Sequence, residues 1–167
     1  LLNSMPNAVS CLGSYHLDPK IEDTTYTTFQ YPKGVIAHAH ASWLNPRKVR
    51  QITIVGSEKM AVWDDLNIEH PITIYDSSIG LDQSYYSDSF ASHRQNYHRG
   101  DVVQPFTSSN EPLLDELFHF VSCIRGNDSN NRSDGKYGTE AARTLRAADL
   151  SLASKGVLIP IERDHLD

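Results

Sequence analysis

Gly34-Val35-Ile36-Ala37-His38-Ala39-His40-Ala41-Ser42-Trp43-Leu44-Asn45-Pro46-Arg47-Lys48-Val49-Arg50-Gln51-Ile52-Thr53-Ile54-Val55-Gly56-Ser57 is the stretch that decides the fold. It contains two runs with the alternation typical of β-strands, separated by Asn45-Pro46. An Asn-Pro dipeptide favours a turn. The sequence therefore predicts two long strands joined by a tight Asn45-Pro46 turn.

The first of these two strands has two contrasting faces, because successive side chains of a strand point in opposite directions. One face carries three alanines, and such small side chains predict that a helix lies close against it. The other face is then open, or covered by another subunit. The first face consists of Val35, Ala37, Ala39, Ala41 and Trp43, and the second of Ile36, His38, His40, Ser42 and Leu44.

The residues on either side of this stretch extend the pattern. Further strands are predicted over residues 8–16, 24–31, 59–63 and 71–75, with Pro32-Lys33-Gly34 closing a hairpin over 24–44. Residues 76–110 show no sustained period. Helices are predicted from Asn110-Glu111-Pro112 to Gly126 and over 139–155, followed by a short edge strand near 157–161. The predicted fold class is α+β: an open, mostly antiparallel β-sheet of about six strands with two long helices packed on one face.

Composition limits the classes of function. With 167 residues the chain has the size of a single domain. The formal net charge is −6 and no Lys/Arg block is present, which argues against nucleic acid or a membrane as partner. The two cysteines are too few for a disulfide framework, so a cytoplasmic location is expected.

Three groups of polar residues are candidate sites. His38 and His40 lie about 6–7 Å apart along one strand face and could begin a metal site. No other histidine has diagnostic spacing, so ordinary polar residues on an open or interface face are favoured, and no metal is expected. Asp64-Asp65 with Glu69 are read as solvated turn carboxylates.

The segment Tyr97-His98-Arg99-Gly100-Asp101 combines an aromatic ring, an imidazole and a guanidinium. Arginine binds phosphate or carboxylate through two hydrogen bonds, and tyrosine stacks on or hydrogen-bonds to a sugar or base. This segment is a candidate binding loop. No G-x-G pair occurs in the chain, so the dinucleotide-binding fingerprint is absent.

Ordered blocks across nearly the whole chain resemble the C-terminal, substrate-side domain of the Gfo/Idh/MocA family of NAD(P)-dependent oxidoreductases. The segment from Gly34 to Asp65 is the most similar block. The others are Tyr15 to Asp23, Tyr97 to Asp101, Glu111-Pro112-Leu113 with Cys123-Ile124-Arg125-Gly126, Ser133-Asp134-Gly135, and the alanine-rich helix to Gly156.

This resemblance implies that residues 1–167 form one domain, the C-terminal half of a longer sugar dehydrogenase, within the branch that acts on nucleotide sugars. Its own N-terminal Rossmann domain would bind NAD or NADP, and a Glu-Lys-Pro lysine with a helix histidine would handle the proton. Glu58-Lys59 is followed by Met60, and that helix would end near Leu1. No catalytic, cofactor-binding or metal residue is therefore assigned in this chain.

The resemblance also assigns binding roles to particular positions. Tyr15, His16, Tyr97, His98, Arg99 and Asp101 would border the pocket for a sugar or nucleotide sugar. His38, His40 and Ser42 would lie in an oligomer interface on the open sheet face. Two alternatives stay open: a stand-alone, non-catalytic sugar-binding or assembly module, and a small metal-dependent enzyme built on His38 and His40.

Overall fold

A computed structural model describes Leu2 and residues 4–79, 97–107, 110–126 and 131–162, with the backbone alone for residues 77–79 and 97–99. The chain divides into two compact units, Leu1–Pro46 with His119–Asp167, and Arg47–Phe118. The described part contains eight strands and two α-helices: β1 (Ala8–Ser14), β2 (Thr24–Gln30), β3 (Ile36–Ser42), β4 (Gln51–Val55), β5 (Met60–Asp64), β6 (Ile72–Ile79), β7 (Tyr97–Val103), α1 (Pro112–Ile124), α2 (Gly135–Ala153) and β8 (Ile159–Pro160).

The first unit is built on an antiparallel sheet with the strand order β3-β2-β1-β8. The predicted hairpin over 24–44 is confirmed, since β2 and β3 pair from Thr24↔Ser42 to Gln30↔Ile36. A short 3₁₀ turn, Pro32–Gly34, joins them. Lys33 and Gly34 both have positive φ, 61° and 76°, which reverses the chain tightly.

The core of this unit lies between the sheet and α2. Val9 of β1, Ala147 of α2 and Ile161 form a buried cluster, and Phe29, Ala148 and Ile159 pack against it. α2 begins at Gly135, four residues before the predicted start, because the Asp134 side chain accepts a hydrogen bond of 2.7 Å from the Tyr137 N–H and caps the helix.

The side chain of Ser151 in α2 bonds the edge of β1 beyond the last pair with β8. β8 pairs only with Ala8 and Val9, so the rest of that edge of β1 needs other partners. The buried Ser151 hydroxyl accepts from the Cys11 N–H at 2.8 Å and donates to the Val157 carbonyl at 2.7 Å. One side chain thus satisfies two backbone groups from segments far apart in the sequence.

The second unit contains an antiparallel sheet with the order β4-β5-β6-β7. The register of β6 and β7 shifts between Tyr75 and Ser77, which marks a β-bulge. Gly100 faces the backbone of Asp76 at this point, so closely that a Cβ on residue 100 would overlap the Asp76 carbonyl oxygen. Glycine is required there because it has no side chain.

The structure confirms the α+β class and the antiparallel strands, but it corrects the predicted single sheet of about six strands. β3 and β4 belong to different sheets, so Asn45-Pro46 is not a hairpin turn. It lies where the first unit ends. β3 pairs with β2 and β4 pairs with β5, so each of them is the edge strand of its own sheet. The physical reason for the wrong prediction is that an Asn-Pro turn does not determine whether the strands on either side of it pair.

Two further expectations are corrected. The sequence shows no sustained period over residues 76–110, of which residues 80–96, 108 and 109 lie outside the described part of the chain. The described residues of this range include the end of β6 and all of β7, whose bulge disrupts the simple alternation. The prediction that both helices pack on one face of the sheet is confirmed for α2 only. α2 packs on β1 and β8, whereas α1 has no buried residue, and Ala39 and Ala41 of β3 are exposed. Among the described residues, no helix has the length and apolarity that crossing a lipid bilayer demands.

We expect Ser151→Ala to lower the free energy of unfolding by about 1–3 kcal/mol, because it leaves the buried Cys11 N–H and the Val157 carbonyl without their partner. Urea denaturation measures the change. Ser154→Ala is the matched control, since Ser154 is exposed just beyond the end of α2. Equal effects of the two substitutions would contradict this role for Ser151.

Candidate functional site

Asp23 organises the loop that joins β1 to β2. Its side chain is only 6% exposed, and it accepts hydrogen bonds from the N–H groups of His16 and Leu17 at 2.5 and 2.9 Å, both to Oδ2. The other carboxylate oxygen, Oδ1, lies 3.1 Å from Nδ1 of the His16 ring. The carboxylate therefore holds both the backbone and the side chain of His16.

The backbone of Asp23 ties this loop to two strands. Its N–H donates to the Ser14 carbonyl at 3.1 Å, and its carbonyl accepts from the Trp43 N–H at 2.8 Å. Within the loop, the Asp18 side chain accepts from the Lys20 N–H at 2.9 Å, a local turn typical of aspartate. The loop is thus anchored at the ends of β1 and β3.

The same contacts set the charge of Asp23. Burial from water acts to raise the pKa of the Asp23 carboxyl. The hydrogen bonds from the His16 and Leu17 N–H groups, and then the His16 ring, outweigh burial. The net result is a pKa below the ordinary value of 3.8, so Asp23 is an ionised acceptor near neutral pH.

A depression of about 340 Å³ adjoins this network at the end of the sheet. The Trp43 side chain is 87% exposed at its rim. The Thr24 and Ser42 hydroxyls are 2.9 Å apart. An exposed aromatic ring beside half-buried hydroxyl groups suits a polar ligand with a flat apolar face, such as a sugar ring. The lining residues are Glu22, Asp23, Thr24, Thr25, Ala41, Ser42 and Trp43.

The sequence-predicted binding residues fall in both units. Tyr15 and His16 follow β1 in the first unit, where Tyr15 is exposed and His16 meets Asp23. Tyr97, His98 and Arg99 begin β7 in the second unit, where only their backbone is described, and Asp101 is exposed on the same strand.

Sequence reasoning did not single out Asp23. The available signal was a lone aspartate seven residues after His16, directly before a run of strand residues. Nothing in that spacing reveals that the chain turns back, because the turn is made by contacts with Ser14 and Trp43.

The predicted interface residues lie on the open face of the first sheet. The Tyr26 ring stacks on the His40 ring with centroids 4.4 Å apart and planes within 3°, and it lies 6.2 Å from the His38 ring. Ser42 is on the same face but also borders the depression. Within the ranges that the structure describes, no group of three or more His, Cys, Asp or Glu side chains could hold a metal ion.

The lowered pKa of Asp23 predicts acid sensitivity. A carboxyl whose pKa is lower in the folded than in the unfolded state stabilises the fold above its unfolded value, and this contribution is lost as the pH falls through the folded value. We expect the stability difference between the wild type and Asp23→Asn to be constant above about pH 5 and to shrink below about pH 4. Urea denaturation across this range measures it.

Asp18→Asn is the control for that titration, because Asp18 lies in the same loop, is exposed and receives a single backbone hydrogen bond. A difference between wild type and Asp23→Asn that stays constant down to pH 2.5 would contradict the proposed ionisation of Asp23.

Comparisons with known proteins address the family. Residues 1–62 match the family model described as the GFO/IDH/MocA C-terminal domain. Comparison with curated proteins finds no match.

Solved structures share the fold at low sequence identity. A UDP-N-acetylglucosamine 3-dehydrogenase from Acidithiobacillus ferrooxidans is 16% identical with a TM-score of 0.67, and the match covers 91% of this chain and 42% of that one. The WlbA dehydrogenase from Bordetella pertussis, in complex with NADH and UDP-GlcNAcA, is 19% identical with a TM-score of 0.59 over 96% of this chain and 40% of that one.

An inositol dehydrogenase homologue from Azotobacter vinelandii, complexed with NAD⁺, is 17% identical, with a TM-score of 0.65 over 96% of this chain and 44% of that one. The chain therefore spans less than half the length of these proteins. The family match over residues 1–62 and the shared fold confirm the predicted resemblance to the C-terminal domain of the GFO/IDH/MocA type.

Proposed function

We propose that residues 1–167 form the substrate-binding and oligomerisation domain of an NAD(P)-dependent oxidoreductase that acts on a sugar or nucleotide sugar, and that this domain is not catalytic alone. The observation that carries the proposal is the family match over residues 1–62 together with the fold shared over 91–96% of the chain. One of the fold neighbours is a UDP-N-acetylglucosamine 3-dehydrogenase, and another, the WlbA dehydrogenase, is in complex with UDP-GlcNAcA.

The substrate would contact the pocket-border residues Tyr15, His16, Tyr97, His98, Arg99 and Asp101. Arg99 suits the phosphates of a nucleotide sugar, because a guanidinium forms paired hydrogen bonds with phosphate oxygens. The Asp23-anchored loop supports this assignment on the side of Tyr15 and His16, since it gives His16 a defined position while leaving its ring 59% exposed.

The cofactor, NAD or NADP, would be bound by a further Rossmann domain on the N-terminal side of this one in the native protein. Several large apolar side chains are exposed, which supports the presence of a further domain or subunit that packs against them. They include Trp43 and the α1 residues Leu113, Phe118 and Phe120. Both cysteines are free thiols, which supports a cytoplasmic location.

The native polypeptide provides the direct test. We expect it to have roughly twice the mass of this chain, to include a glycine-rich dinucleotide-binding segment, and to bind NADH, whereas residues 1–167 alone bind none. Intact-mass analysis with peptide mapping and fluorescence titration with NADH are the measurements.

Two results would contradict this proposal. A native polypeptide no longer than 167 residues would favour the stand-alone sugar-binding or assembly module instead. Tight NADH binding by residues 1–167 alone would place the cofactor site within this chain.

The oligomer interface would be the open face of the first sheet, around Tyr26, His38, His40 and Ser42. The stacked, exposed rings of Tyr26 and His40 support this, because flat aromatic groups are favoured at protein interfaces.

We expect His40→Glu to raise the dissociation constant of self-association by on the order of 10-fold or more, because it buries a carboxylate in the interface. Analytical ultracentrifugation measures it. Ala39→Glu is the matched control, since Ala39 is an exposed neighbour on the same strand that points to the opposite face. Equal weakening by both substitutions would exclude this face as the interface.

A further inference from the structure

We propose that Asp23 is a positioning residue that keeps the His16 ring in the tautomer with its proton on Nδ1, so that Nε2 accepts a hydrogen bond from a hydroxyl group of the bound sugar. This inference rests on the proposed function for the identity of the ligand. The tautomer itself follows from the hydrogen bonds around Asp23 and does not depend on any ligand.

The two oxygens of Asp23 have different partners. Oδ2 accepts the backbone N–H groups of His16 and Leu17, and Oδ1 faces His16 Nδ1 at 3.1 Å. An ionised carboxylate has no proton to donate. The proton between Oδ1 and Nδ1 must therefore lie on the ring, which leaves Nε2 of a neutral imidazole with a free lone pair.

The exposure of the ring places that lone pair where a ligand can reach it. The His16 side chain is 59% exposed, whereas the Asp23 side chain that holds it is 6% exposed. Among the residues that the structure describes, none forms a hydrogen bond with Nε2 of His16. A buried, ionised carboxylate behind an exposed imidazole is the arrangement that orients histidines used for proton transfer or hydroxyl recognition.

A purely structural role, in which Asp23 only shapes the 16–23 loop, makes a different prediction for Asp23→Asn. In this variant the amide oxygen can keep both backbone N–H groups, which directs the amide NH₂ at Nδ1. Nδ1 must then accept, so the ring proton moves to Nε2 and Nε2 can no longer accept from a hydroxyl. The loop keeps its shape while the tautomer is reversed.

The tautomer is measured on ¹⁵N-labelled chain under mildly alkaline conditions, by long-range ¹H–¹⁵N correlation of the histidine rings. We expect the Nδ1–H form of His16 in the wild type and in Asp18→Asn, and the Nε2–H form in Asp23→Asn. The Nε2–H form in the wild type, or no change in Asp23→Asn, would overturn the inference and leave the proposed function untouched.

The ligand role is tested by calorimetric titration of the native protein with UDP-N-acetylglucosamine. We expect Asp23→Asn to weaken binding by on the order of 10-fold, because the sugar hydroxyl can no longer donate to Nε2, while Asp18→Asn binds as the wild type does. Unchanged affinity in an Asp23→Asn protein with the reversed tautomer would overturn the ligand role of His16. Absence of UDP-N-acetylglucosamine binding by the wild type would overturn this ligand role of His16 toward a UDP-linked amino sugar, whatever the tautomer.

Discussion

The first unit depends on strand β1, because β2, β8 and α2 all pack or pair directly with it. On one side β1 pairs along its whole length with β2. On the other side β8 supplies only two pairs, and the Ser151 hydroxyl of α2 takes the next backbone group. Val9 in the middle of this arrangement is fully buried against Ala147 and Ile161. Burial and hydrogen bonding therefore act at the same place, and together they bring the C-terminal segment back onto the N-terminal strand.

The loop after β1 inherits its geometry from this framework. Ser14 ends β1 and Trp43 follows β3, and both bond the backbone of Asp23. The Asp23 side chain then has a fixed direction from which it holds His16. The position of the exposed His16 ring is thus fixed through Asp23, whose backbone is held by the ends of two strands, although the ring itself is not buried. The depression bordered by Asp23, Ser42 and Trp43 depends on the same strand ends.

Local sequence patterns predict the structure correctly where only one structure fits the pattern. The β2–β3 hairpin follows from strand residues flanking Pro32-Lys33-Gly34, and α1 and α2 follow from capping residues and apolar spacing. The predictions are wrong where one local pattern is compatible with two different structures. Asn45-Pro46 is as compatible with a link between two sheets as with a hairpin turn, because only the pairing of β3 and β4 distinguishes them. β7 was missed because Gly100 and the bulge opposite Asp76 interrupt the alternation that identifies a strand.

The sequence by itself determined the α+β class, the antiparallel hairpins, the two helices and the resemblance to the Gfo/Idh/MocA C-terminal domain, because turn residues, alternation and ordered motifs are local properties of the chain. It also placed Tyr15, His16, Tyr97, His98, Arg99 and Asp101 among candidate ligand residues. Only the tertiary structure decided that the strands form two sheets, that Ser151 completes the edge of β1, and that Asp23 stands behind His16. These are contacts between residues separated by a turn or by most of the chain, and their partners are set by packing, which no local pattern records.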